Sequence, residues 1–95
     1  MQIEYTEEAF LSLVKLVNFI EEKNTDGAGQ RWLSKFEFYL LSTLPNSLGI
    51  SHCNNETFKR LNLKCLYYND WVIAFSIQNG NVLIEALIHK SRITD

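Results

Sequence analysis

The stretch that decides the fold is "WVIAFSIQNGNVLIEALIH", residues 71–89. Trp71, Ile73, Phe75 and Ile77 alternate with their neighbours, which puts them on one face of a strand. Asn79-Gly80 is the strongest short hairpin signal a sequence offers, because both residues tolerate the positive φ of a tight two-residue turn. "VLIEALIH" then returns as a second strand, apolar along most of its length. Working upstream, "FKRLNLKCLYY" (residues 58–68) also alternates. Leu61, Leu63, Cys65 and Tyr67 share one face, while Arg60, Asn62, Lys64 and Leu66 share the other. "ND" at 69–70 turns that strand into the next, so the C-terminal part is expected to be three antiparallel strands.

The N-terminal half has the other period. "QIEY" is a short alternating strand. Thr6 is a good helix N-cap, and Glu7 and Glu8 follow in the first turn, where the helix dipole favours acids. Phe10, Leu13, Val14, Val17 and Ile20 recur at helical spacing, which predicts an amphipathic helix over residues 7–23 with these side chains buried. "NTDGAG" breaks it, and Thr25 or Asp26 is expected to cap a second helix with Leu33, Phe36, Leu40 and Leu44 inward. Pro45 and Gly49 in "LPNSLG" end that helix. The expected fold is therefore α+β, β-α-α-β-β-β, a helical hairpin packed on one face of a small antiparallel sheet.

The chain has 95 residues, 46% hydrophobic and 21% charged, which fits one globular domain spanning residues 1–95. No apolar run approaches the roughly 20 residues needed to cross a bilayer, and "MQIEYTEEAF" does not read as an export signal. A cytoplasmic protein is the expectation. Two cysteines in such a chain are expected to be free thiols, with Cys65 in the core. The sequon at Asn55 carries no weight without a secretory route. Net charge is −2, unevenly spread: residues 1–26 hold six acids and two bases, residues 59–95 five bases and three acids. A general attraction to nucleic acid is absent, so any phosphate contact has to be local.

The order of elements and five quoted motifs resemble the RelE/ParE superfamily of bacterial type II toxin–antitoxin modules, also called plasmid stabilisation proteins. "YTEEAFLSLVKLVNFIEEKN" is similar to the family's first strand and helix, and "LPNSLG" to the break after its second helix. "RLNL" resembles its first hairpin strand, "WVIAFSI" the aromatic-alternating strand, and "ALIHKSR" the last strand with its basic end. The resemblance implies a cytoplasmic bacterial toxin silenced by a cognate antitoxin. It acts either by binding DNA gyrase or as a ribosome-dependent mRNA endoribonuclease; a degenerate, non-toxic member is a further alternative. By resemblance, Arg60 sits at the family's strand arginine and Arg92 near its terminal basic position. His89 takes the place of a histidine frequent in the gyrase-poisoning branch. The acidic net charge departs from the strongly basic ribosome-dependent nucleases.

RNA cleavage would need a proton acceptor for the 2′-hydroxyl, cations for the strained phosphate and an acid for the leaving oxygen. Arg60 and Arg92 are the candidate phosphate forks, Lys64 extends the cationic strip, and His89 is the candidate general acid or base. The structural alternatives are equally concrete: a basic strand end blocks edge pairing, and Arg60 could serve an ion pair or a partner contact. His52-Cys53 supplies two adjacent ligands with no second pair, so neither a metal nor a cofactor is expected. Surplus apolar residues point to a partner surface instead. Leu11 and Phe19 fall off the first helix's buried stripe; Trp32 and Tyr39, seven apart, share a side of the second; Phe38 points elsewhere. An exposed aromatic-rich groove for an antitoxin segment is expected there, with a homodimer face as the competitor.

Overall fold

The computed structural model describes residues 1–92. In chain order the elements are β1 (Ile3–Tyr5), α1 (Glu7–Lys23), α2 (Ala28–Thr43), α3 (Glu56–Arg60), β2 (Lys64–Tyr68), β3 (Trp71–Gln78) and β4 (Asn81–His89). Short 3-10 turns follow α2 (Leu44–Gly49) and β4 (Lys90–Arg92). The helical hairpin is as the sequence indicates, and the class is α+β.

Thr6 starts α1 and fixes how it is rotated. Its Oγ1 accepts the Ala9 N–H (3.1 Å), capping the helix, while its own N–H donates to the Ile84 carbonyl on β4 (3.0 Å). With the first turn pinned to the sheet, small Ala9 faces β4, and Leu13 and Leu16 follow it inward. The buried stripe is therefore shifted from the expected one. Phe10 is 53% exposed and Val14 37%, whereas Val17 and Ile20 pack on the core as expected.

The α1–α2 connection depends on Glu21. Its carboxylate oxygens accept the N–H groups of Gly27 and Gly29, each at 2.8 Å, satisfying donors that a helix start leaves open. Gly27, with φ +85°, takes the N-cap position in place of Thr25 or Asp26. Gly29 lets the helices close: a Cβ there would stand 2.7 Å from the Val17 carbonyl oxygen. Phe36, Leu40 and Leu44 are buried and Leu33 is half-buried.

The sheet order is β1-β4-β3-β2. β2, β3 and β4 are antiparallel, but β1 pairs parallel with β4, Ile3 opposite Val82 and Tyr5 opposite Ile84. The sheet is thus mixed and not wholly antiparallel. Alternation reveals a strand but not its direction; the direction is fixed where the Val82 N–H donates to the Gln2 carbonyl and brings the start of β1 to the start of β4. Trp71, Ile73, Phe75 and Ile77 face the helices as read from the sequence. Between Ala74 and Phe75 the register slips, since Ala74 pairs with Ala86 but Phe75 with Ile84, and Glu85 is the extra residue of a β-bulge. The slip reverses the alternation of β4, so Val82, Ile84 and Leu87 all face the helical layer. Burying Phe36, Phe75, Ile73 and Ile84 there contributes roughly 1.5–3 kcal/mol each.

The expected strand over 58–68 is only half a strand. Asn55 accepts the Phe58 N–H (3.1 Å) and caps a one-turn helix through Arg60. Asn62, at φ +62°, then makes a left-handed turn, so extended chain begins at Lys64. This segment crosses the sheet face away from α1 and α2, where Cys53, Leu63, Cys65, Val72 and Ala74 form a second small core with Phe58 and Ala86 against it. Cys53 and Cys65 are joined by a disulfide, which corrects the expectation of free thiols. The Cys53 N–H also donates to the Leu63 carbonyl, and that pairing of 51–53 with 63–65 brings the two sulfurs together.

Candidate functional site

The four candidate cations do not converge. Arg60 ends α3 with Lys59, where the negative end of a helix dipole suits both, and it lies on a helix and not on the expected strand. Lys64 opens β2 opposite Phe75, and His52 bridges to it from outside the sheet. His89 ends β4 opposite Trp71, which in turn pairs with Tyr68 at the far end of β2. Four residues along β3 and two strand spacings separate the Lys64 and His89 positions, roughly 16 Å at ~3.3 Å per residue and ~4.8 Å per strand. Arg92 follows His89 in the terminal 3-10 turn. Lys64 thus stands at one end of the sheet and His89, with Arg92 after it in the chain, at the other.

The His89 end has a definite local geometry. The imidazole meets the Trp71 ring edge-on, centroids 5.2 Å apart. Its Nδ1 accepts the Ser91 N–H (3.2 Å) and lies 2.8 Å from the Ser91 hydroxyl. An Nδ1 that accepts a backbone N–H leaves the ring proton of the neutral form on Nε2, so the free side of the ring donates. Lys90 pairs with Asp70 at 3.1 Å, both exposed, and its N–H donates to the Asp70 carbonyl. Such a surface pair is worth at most about 1 kcal/mol and chiefly ties the chain end to the β2–β3 turn. Among the described residues this end of the sheet carries His89, Lys90 and Arg92 with one carboxylate, Asp70, which Lys90 engages.

The apolar candidates divide in two. Trp32 and Tyr39 are not an exposed groove. Trp32 stacks on Phe36 at 5.0 Å and meets Tyr68 edge-on, and Tyr39 lies 4.9 Å from the Tyr68 ring. The Tyr39 hydroxyl donates to the Tyr67 carbonyl at 2.8 Å, covering the outer edge of β2. Both belong to the core margin, and burial raises the Tyr39 phenol above its ordinary value. Leu11, Phe19 and Phe38 are exposed, as expected; Lys23 Nζ sits over the Phe19 ring at 5.9 Å.

Two residues expected in the buried stripe of the first helix, and one of the second helix, join Leu11 at the surface. Phe10 and Val14 lie beside it on the outer face of α1, and Leu41 is exposed on α2. At the start of α1 a recess of about 560 Å³ is lined by Thr6, Glu7, Glu8, Leu11 and Glu85. Glu85 is the bulge residue of β4, the one charged side chain in that strand, and its signal was visible as an acid inside an apolar run.

Cys53, as half of a disulfide, is not a metal ligand, and no three His, Cys, Asp or Glu side chains cluster as a metal site among the described residues. No helix among these residues is long and apolar enough to cross a membrane. No family model matches the chain, and no curated protein is significantly similar to it.

Proposed function

We propose that this chain is a toxin-type protein of a two-component bacterial module, acting by binding and held in check by a cognate antitoxin. The observation that carries this reading is the helical layer's outer surface. Phe10, Leu11, Val14 and Phe19 on α1 and Phe38 and Leu41 on α2 expose large apolar side chains on a domain of this size. The separation of Lys64 from His89 favours binding over catalysis, because transesterification needs its acid, base and cations within reach of one phosphate. The target of a binding toxin of the resembled branch is DNA gyrase. Its setting is the cytoplasm, where disulfides are rare; Cys53 (2% exposed) and Cys65 (7%) are withheld from an attacking thiolate.

Induced expression in a bacterial host, scored for DNA damage and for translation arrest, tests the reading. Growth arrest with DNA damage, relieved by co-expressing the product of the adjacent gene, is expected. Translation arrest with cleaved messenger RNA would favour the ribonuclease alternative. Unimpaired growth, with the protein monomeric and unbound, would identify a non-toxic member.

A further inference from the structure

The two faces of the sheet are covered unequally. On one, α1 and α2 lie over Ile73, Phe75 and Ile84; on the other, the segment 51–63 lies over Val72 and Ala74. Besides Cys53, that segment offers the second core two apolar anchors, Leu63 (3% exposed) and the half-buried Phe58. Residues 59–62 and most of 54–57 are exposed and bury little. Its backbone is tied in where the Cys65 N–H donates to the Ser51 carbonyl (3.2 Å) and the Cys53 N–H to the Leu63 carbonyl (3.0 Å). The bonds from the Phe58 N–H to Asn55 and from the Leu63 N–H to the Phe58 carbonyl run inside the segment, so they shape α3 without holding it to the sheet. A helix as short as α3 is not stable by itself. Fixing so long a stretch costs conformational entropy that two apolar anchors do not offset. What it covers is also small: lifting it bares Val72, Ala74 and Ala86, whereas lifting a helix would bare Ile73, Phe75 and Ile84.

We infer that the Cys53–Cys65 bond is a redox latch: oxidised, it holds the segment 51–63 against the sheet; reduced, the segment lifts while the core beneath α1 and α2 stays folded. The reductant is a dithiol. One of its thiolates attacks either protein sulfur, and the S–S bond breaks as a mixed disulfide forms; its second thiolate then displaces the protein sulfur and closes the reductant's own disulfide. Two electrons pass to the protein, and Cys53 and Cys65 leave as thiolates that take up one proton each. Both cysteines are buried, so attack follows lifting of the segment, and the latch opens slowly. Once open, Lys59 and Arg60 lie on unanchored chain, and β2 loses the cover that Ser51 gives its outer edge at Cys65. Reduction thereby makes the segment a substrate for proteases, and the redox state sets how long the chain survives. The latch concerns this segment alone and stands whether or not the chain is a toxin.

The test is amide hydrogen exchange of the purified full chain, oxidised and after reduction with dithiothreitol. In the reduced protein the Cys53, Leu63 and Cys65 amides should exchange within about tenfold of the rate of unstructured chain, while β3 and β4 amides stay protected by at least about a hundredfold more. Cys53→Ser with Cys65→Ser should show the same pattern with no reductant present. Trypsin should cut the reduced protein first after Lys59 or Arg60 and spare those sites in the oxidised one. Phe58→Ala, which removes an anchor of the segment, should speed reduction of the native protein by about tenfold or more. If the segment stays as protected as β3 after reduction, the bond is a staple and not a latch, and the inference falls. It falls equally if reduction strips protection from β3 and β4 as well, or if Phe58→Ala leaves the reduction rate unchanged.

Discussion

Breaking the Cys53–Cys65 bond is expected to weaken the whole domain, not only the segment it closes. The two residues are 12 apart, so the bond closes a ring that contains α3, Phe58 and Leu63. Removing that ring from the unfolded ensemble is worth about 3 kcal/mol at 25 °C by loop-closure entropy. A chain of this length has roughly 5–14 kcal/mol in total, so the loss is a large fraction of it. The second core makes the effect global, since Leu63, Cys65, Val72 and Ala74 share it and the last two lie on β3, at the centre of the sheet. Urea denaturation followed by tryptophan fluorescence measures the loss. With a slope of about 1.5 kcal/mol per molar, the midpoint should fall by about 2 M in Cys53→Ala, in Cys65→Ala and on reduction of the wild type. The double variant should lose little more than either single one, because one substitution already breaks the bond. Losses that simply add, or two titratable thiols in the native protein with an unchanged midpoint, would refute the reasoning.

Gly29→Ala should lower stability by about 1–3 kcal/mol in the same assay, because the new methyl meets the Val17 carbonyl oxygen at 2.7 Å and the helices must separate. Glu21 gives a pH signature. The Gly27 and Gly29 N–H groups hold its carboxyl below the ordinary 4.5, so its contribution is present above that value and is lost as pH falls through the lower folded value. Glu21→Gln should flatten that acid limb of the stability profile, and an unaltered limb would contradict the assignment. Tyr39→Phe removes the hydrogen bond to the Tyr67 carbonyl and should cost about 0.5–1.5 kcal/mol, with faster amide exchange in β2 as the local readout.

The legibility of this fold in its sequence followed the physics of each signal. The β3–β4 hairpin was plain because Asn79 and Gly80 both adopt positive φ, as the dipeptide requires. The bounds of α1 were plain because Thr6 caps it as such a residue should. Its rotation was not, because that depends on Thr6 gripping β4, a contact 78 residues away that no local pattern carries. β2 misled for the opposite reason: "FKRLNL" alternates well, yet Asn55 and Asn62 offer the backbone a cap and a left-handed turn, and local hydrogen bonding overrode the period. The disulfide was invisible because the cysteine prior came from an assumed compartment, while the deciding fact is the pairing of 51–53 with 63–65. The candidate site inherited these errors. Arg60 reads as a strand residue but ends a helix, and Trp32 and Tyr39 read as surplus although both pack on Tyr68.

The most direct test of the central claim sets two variants against each other in one growth assay. One removes the candidate cations together (Arg60→Ala, Lys64→Ala, His89→Ala, Arg92→Ala); the other is Val14→Asp with Leu41→Asp, and both are first verified as folded by circular dichroism. If the chain works through its helical surface, the cation variant arrests growth like the wild type, and the helical-surface variant escapes relief by the adjacent gene product. Loss of arrest in the cation variant, with the helical-surface variant still relieved as the wild type is, would contradict the account.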